Sequence, residues 1–388
     1  MSHRPIIAMV AGETSGDLLA NRLLSGLRPQ LPQALMHGIG GPEMAKYGFV
    51  NDWPMDKLSV RGLFEVLLHY REISGIRKQL LQSLLQEKPD VFIGVDAPDF
   101  NLDLEIQLKR AGIPTMHYIS PSIWAWRGGR IKKIAEAVTR MLVVFPFEEE
   151  IYRAAGIPAT YVGHPLAQVI PMEPDMAAAR DELGLDQAAT VLTILPGSRM
   201  SEIKYNTVAF IQTAKLLCQR DPQLQVVVPM VGTKQRSYYI KLVVAAQLEG
   251  VPVLLVDGHS HTAIAAANAV LVASGTASLE VALFKKPMVI AYKMMEASWQ
   301  ILRHMGYQPW IGLPNILAKE FLVPEFLQSA ARPEAMADAI WQQLHDTALQ
   351  ARLRQRFTDM HHSLSRDTAN VAAQAVLELI ATRSSVAA

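Results

Sequence analysis

The sequence predicts an α/β protein made of two Rossmann-like domains in tandem, followed by C-terminal helices. Three observations carry that expectation. The chain has 388 residues, beyond the length at which a single hydrophobic core stops growing and chains divide. Short apolar runs alternate with longer amphipathic stretches, the pattern of parallel strands covered by helices. Each half also opens on an apolar strand that runs into a glycine-bearing loop. These loops are Ala11-Gly12-Glu13-Thr14-Ser15-Gly16 in the first half and Pro196-Gly197-Ser198-Arg199 in the second.

Taken in order, the first half predicts strands over 6–10, 35–39, 91–95, 115–119 and 141–144, and the second over 191–195, 225–229, 253–256, 269–272 and 288–291. Helices are expected over 58–81, 333–344, 350–364 and 368–381. In the last of these Val371, Ala375, Val376 and Leu379 recur at helical spacing. The boundary is expected at Gly163-His164-Pro165. That gives a first domain over 1–164, a second over 165–345, and helices over 346–388. Two such domains facing a central cleft would bind ligands at the C-terminal ends of their strands.

Composition narrows the function classes. Half of the residues are apolar, 19% are charged and the net charge is +1, so nothing global points to nucleic acid. Cys218 is the only cysteine, which excludes an internal disulfide or a thiolate cluster. The opening apolar run is too short for a signal-peptide core, and no run approaches the ~18 to 20 residues that span a bilayer. The expectation is a cytoplasmic protein with, at most, peripheral membrane contact.

The stretch 271–288 is the most specific. A strand ends there in small hydrogen-bonding residues, and a helix follows with Glu280 in its first turns. Ser274, Gly275, Thr276 and Ser278 offer hydroxyls and N–H groups suited to a diphosphate, and Glu280 could accept from ribose hydroxyls. The bland alternative is a capped helix with a solvated glutamate. Gly197, Ser198 and Arg199 form a second anion element, the guanidinium supplying a fork for phosphate oxygens. In the first half, Glu13, Ser15 and Gly16 lie in a loop that is neither a Walker loop nor a Gly-x-Gly-x-x-Gly fingerprint. It suits an acceptor sugar phosphate or the donor phosphates, with Glu13 a further candidate catalytic carboxylate.

Asp96 and Asp99 follow the apolar run 91–95, where a carboxylate could deprotonate a sugar hydroxyl. Asp96 is nearer the strand end, while Asp99 could instead cap the next helix. Their spacing is not the Asp-x-Asp metal motif, so no metal or other cofactor is implied. His259-x-His261 and His361-His362 lack the partners that a metal site would need.

Over 58–81, Phe64, Val66, Leu67, Tyr70 and Ile73 belong to an apolar arc covering more than half of the helix circumference. Arg61, Arg71, Arg77 and Lys78 flank it, which suits an anionic membrane surface or, alternatively, burial between neighbouring helices. Trp126 and Arg127 lie in a second basic-aromatic segment that could also grip an acceptor phosphate.

On these residues the chain resembles the lipid-A-disaccharide synthases of Gram-negative bacteria over nearly its whole length. The matching stretches are 11–17, 96–101, 117–126, Gly163-His164, 195–199, 273–280 and Leu313-Pro314-Asn315. The resemblance implies a metal-independent, inverting transferase of the two-Rossmann GT-B type. It would move a 2,3-diacylglucosamine from UDP onto the 6-hydroxyl of 2,3-diacylglucosamine 1-phosphate (lipid X), making a β-1,6 disaccharide for lipopolysaccharide. It also implies UDP binding through Arg199, the 274–280 loop and Asn315, with Asp96 as the base. Peripheral contact with the inner-membrane phospholipid surface and a homodimer are implied as well, the 346–388 helices returning to the first domain or crossing to a partner protomer. The rivals are another UDP-sugar transferase or epimerase with a soluble substrate, and a two-lobed binding protein.

Overall fold

The computed structural model describes residues 4–58, 63–125, 128–303, 306 and 308–387. The side chains of 56, 63–70, 301–302 and 384–387 lie outside that description. The chain divides into two compact units, Met1–Pro165 with Ser363–Ala388, and Leu166–His362.

Among the described residues, the first unit holds β1 (Ile6–Ala11), β2 (Leu35–Gly40), β3 (Val50–Pro54), β4 (Val91–Val95), β5 (Thr115–Tyr118), β6 (Arg140–Val143) and β7 (Ala159–Tyr161). They form one parallel sheet in the order β3-β2-β1-β4-β5-β6-β7. The second unit holds β8 (Val191–Leu195), β9 (Gln225–Met230), β10 (Val253–Asp257), β11 (Ala269–Ala273), β12 (Met288–Tyr292) and β13 (Glu325–Leu327). Their order is β10-β9-β8-β11-β12-β13, again parallel. Each sheet reverses its strand order once, between β1 and β4 and between β8 and β11. Doubly wound sheets bind ligands at that switch point.

The central strands β4, β8 and β11 are buried along their whole length. They read as continuous apolar runs because helices cover both faces. Leu192, Ile194, Val226, Leu271 and Val289 pack with Phe210, Leu217 and Ile340 in the second unit. In the first unit Val10, Phe92 and Ile39 pack with Leu80, Leu84 and Leu104.

Three strands escape the sequence reading, β3, β7 and β13, and all three stand at sheet ends. The helix expected over 58–81 is described over Leu63–Glu87, and residues 59–62 lie outside the described residues. The expected 346–388 tail splits: the Thr347–Leu364 helix lies with the second unit as far as His362, and the rest joins the first. There the Thr368–Ala387 helix packs on the Thr14–Gln30 helix. The contact is close enough that a side chain at Gly26 would collide with the Ala369 carbonyl.

Candidate active site

In the first unit, β1 and β4 run side by side with Ala11 opposite Val95. The loops that follow them therefore emerge together at the switch point. A Cβ placed on Gly12 would sit 3.2 Å from the Ala97 Cβ, so the glycine lets the two loops touch.

Asp96 and Ala97 both adopt left-handed backbone, at φ +53° and +44°. Ile119, after β5, does the same at +79°, a conformation that is rare for a β-branched residue. Such residues cost on the order of 1–3 kcal/mol each and persist only where their surroundings hold them. The hold here is visible. The fully buried Asn101 donates from Nδ2 to the Asp96 carbonyl (2.8 Å), and the Asp96 N–H donates to the Tyr118 carbonyl (3.0 Å). The half-buried Asp96 carboxylate has no partner among the described residues.

Asp99 lies differently. Its side chain is 83% exposed and pairs with Arg130, whose segment was expected to grip phosphate. Lys133 and Arg77 are likewise tied to Asp103, at 2.6 and 2.9 Å.

Behind the Asp96 turn, His117 Nδ1 and Glu105 Oε1 meet at 2.7 Å with both side chains fully buried. Burial pushes the Glu105 carboxyl above its ordinary range, and the adjacent His117 partly offsets that. Gly94 is required here, because any side chain would run into Glu105 and Asn101.

In the 11–17 loop, Glu13 is half-buried at the helix N-cap and Ser15 is exposed. Gly16 is buried against Ala11 and the Val95 carbonyl, so it packs the helix onto the sheet and does not face a ligand. Asp17, also buried, accepts from the Gly41, Glu43 and Met44 N–H groups, each at 3.0 Å. Trp126 and Arg127 lie outside the described residues, as do the side chains of Phe64, Val66, Leu67 and Tyr70. Ile73 is half-buried and packs against the first unit's core, which corrects its expected membrane-facing role.

The second unit repeats the arrangement and adds an exposed cation to it. Its switch-point pocket, about 360 Å³, is lined by Gly197, Ser198, Arg199, Glu202, Ser274, Gly275, Thr276 and Glu280 among others. Gly197 sits at φ +115°, and a side chain on it would overlap Glu202. The Glu202 carboxylate accepts from the Ser198 and Arg199 N–H groups at 2.9 and 3.1 Å. Those two N–H groups are therefore committed inside the loop. What the loop does present is the Arg199 guanidinium, 80% exposed and touching Glu202 at 3.2 Å.

The Thr276–Leu283 helix begins without a side-chain cap, after Gly275 at φ +138°. A helix start of this kind can meet an anion through its first N–H groups. Ser274 donates to the Ile311 carbonyl at 3.3 Å. Ser278 is fully buried and donates to the Gly275 carbonyl at 2.8 Å, so it shapes the turn and is not a ligand contact. Glu280 lines the pocket and pairs with His261 Nε2 at 3.2 Å.

Asn315 does not line the pocket. Fully buried, it exchanges hydrogen bonds with Val323 and donates to Glu325 Oε1 at 2.8 Å. Glu325 in turn accepts from the Ile311 and Gly312 N–H groups, so Asn315 reaches Ser274 only through the Ile311 carbonyl. The remaining histidines pair elsewhere, His259 with Glu182 and His361 with Lys285.

Sequence reasoning gave no role to Asn101 or Glu202. A glutamate three residues into a helix is the recognisable signal for Glu202. For Asn101 the only signal is a poor helix former near a helix start.

Comparison with known proteins adds to this geometry. Residues 7–378 match the model of a family described as lipid-A-disaccharide synthetase. The chain is 52% identical over 381 residues to the lipid-A-disaccharide synthase of Azoarcus sp. (strain BH72), covering 98% of this chain and 97% of that protein. With the Bordetella pertussis synthase it shares 50% identity over 384 residues, covering 96% and 98%. Among solved structures, MurG of Acinetobacter baumannii aligns with a TM-score of 0.55 at 15% identity, covering 98% of this chain and all of that one. UDP-GlcNAc 2-epimerase of Neisseria meningitidis, bound to UDP-GlcNAc, gives 0.55 at 11%, also covering 98% and 100%. At those identities the structural likeness speaks for the fold, which is of the GT-B type.

Proposed function

The chain belongs to the lipid-A-disaccharide synthase family and is a glycosyltransferase, and from that premise we propose the division of chemistry between its two sheets. The donor is UDP-2,3-diacylglucosamine and the acceptor 2,3-diacylglucosamine 1-phosphate. The observation that carries the reading is the partnerless Asp96 carboxylate, held on a strained turn at the first sheet's switch point.

In the proposed step Asp96 takes the proton from the acceptor's 6-hydroxyl. The oxygen's electron pair attacks C1 of the donor sugar from the face opposite UDP. The C1–oxygen bond to the diphosphate breaks, its electrons leave with UDP, and the configuration at C1 inverts. Charge builds on the departing diphosphate, and Arg199 and the open N-terminus of the Thr276–Leu283 helix are the groups that meet it. One such donor contributes about 2.7–4 kcal/mol of transition-state stabilisation in comparable sites. Asp96 outranks Asp99 as the base because Asp99 is exposed and already paired with Arg130. We propose that the reaction needs no metal.

No described helix is long and apolar enough to cross a membrane. Both substrates carry acyl chains, and the apolar arc that the sequence predicts over 58–81 supports peripheral contact with the inner membrane's cytoplasmic face.

The test is turnover of the two substrates with EDTA present, following UDP and disaccharide by mass. Equal amounts of both products are expected. UDP without disaccharide would refute the acceptor, and loss of activity with EDTA would refute metal independence.

A further inference from the structure

A second pocket in the Leu166–His362 unit, about 570 Å³, lies at the other end of the Thr276–Leu283 helix from the donor pocket. Ala267 and Asn268, just before β11, and Pro287, just before β12, are in its wall, so it borders the N-terminal ends of the strands. Lys285, Lys286 and Arg354 bring three cations to it, against one carboxylate among its lining residues, Glu173.

Two of the cations in this region are already committed. Lys285 donates to His361 Nδ1 at 2.6 Å and to the Pro171 carbonyl at 3.3 Å. Arg180, buried behind the pocket, spends its guanidinium on the Ala266 and Gln187 carbonyls and on Asn268 Oδ1. Lys286 and Arg354 are different. Among the described residues no group accepts from either side chain, although Lys286 is only 7% exposed.

Burial first, and then the Arg180 and Arg354 charges, pull the Lys286 ammonium down to about 7. With its stem buried and two other cations near it, this ammonium is stabilised by an anion that joins it in the pocket. The backbone adds a second sign of purpose. The helix ends in a Schellman motif, with Lys286 N–H on the Val281 carbonyl and Lys285 N–H on the Ala282 carbonyl. Its left-handed position, φ +57°, is filled by Lys285 where glycine would be cheaper.

We propose that this pocket is a second ligand site that takes a small phosphate monoester. The phosphate lies against Lys286 and Arg354, and the organic body against Met172, Met176 and Phe284. An ammonium and a guanidinium together suit a dianion better than a single carboxylate. The volume falls within the usual range for small-molecule pockets.

The test is calorimetric titration of the full chain with inorganic phosphate and with glucose 6-phosphate at constant ionic strength. Wild type, Lys286→Met, Arg354→Gln and Arg199→Ala are compared. Wild type and Arg199→Ala are expected to bind alike, with glucose 6-phosphate the tighter probe. Lys286→Met and Arg354→Gln are each expected to bind about tenfold more weakly or worse. Binding lost in Arg199→Ala and kept in the other two would place the anion in the donor pocket and overturn the proposal. Absence of binding to wild type would overturn it too, and equal affinity for the two probes would remove the apolar wall's role. If Lys286→Met fails to fold, the exposed Arg354 decides.

Discussion

The two sheets share one strand order over six strands and place their loops at the same switch point, yet the side chains they present there differ. The first presents Glu13 and the Asp96 carboxylate, while the second sets the exposed Arg199 guanidinium beside Glu202 and Glu280. They also hold their loops by different means. In the first unit a strained turn at Asp96 and Ala97 is clamped from below by Asn101. In the second, Gly197 adopts positive φ without a Cβ penalty, and Glu202 ties the loop from inside the helix. The fold decides where chemistry is displayed, and a few residues per loop decide which groups are displayed. For the proposed transfer, one loop set supplies a carboxylate and the other an exposed cation.

That contrast can be broken by substitution. Asp96→Asn keeps the turn and removes the base, and turnover is expected to fall about 10²–10⁴-fold with the thermal midpoint unchanged. Arg199→Ala removes the exposed cation, and kcat is expected to fall roughly 10²–10³-fold. Gly197→Ala sharpens the contrast between the two clamps. Forcing a Cβ at φ +115° against Glu202 should destabilise the second unit by about 1–3 kcal/mol, read as a lowered denaturant midpoint. Asp99→Asn, the control, breaks only a surface pair, so stability should stay within about 0.5 kcal/mol and turnover close to wild type.

The interior strands were legible in the sequence because burial on both faces makes them uniformly apolar, as in Val91–Val95 and Val191–Leu195. The end strands were not. β3 is Val-Asn-Asp-Trp-Pro and mostly exposed, so it shows neither an apolar run nor alternation. The loops after β1, β4, β8 and β11 were legible because strand ends and glycines mark them.

What those loops do internally was not legible. Ser278 and Asn315 have the polarity of ligand contacts, but buried backbone groups consume both, through partners such as the Gly275 and Val323 carbonyls. Asn101 and Glu202 act on backbone atoms, and periodicity carries no trace of that. The wide apolar arc over 58–81 fits a membrane surface and burial between helices equally well, and at Ile73 core packing takes the residue.

The division of labour between the sheets is tested most directly by UDP binding to purified Asp96→Asn and Arg199→Ala, measured by calorimetry. We expect Asp96→Asn to bind UDP within about twofold of wild type, and Arg199→Ala to bind about tenfold more weakly or worse. Loss of UDP affinity in Asp96→Asn, or undiminished affinity in Arg199→Ala, would contradict the assignment of the leaving group to the second sheet.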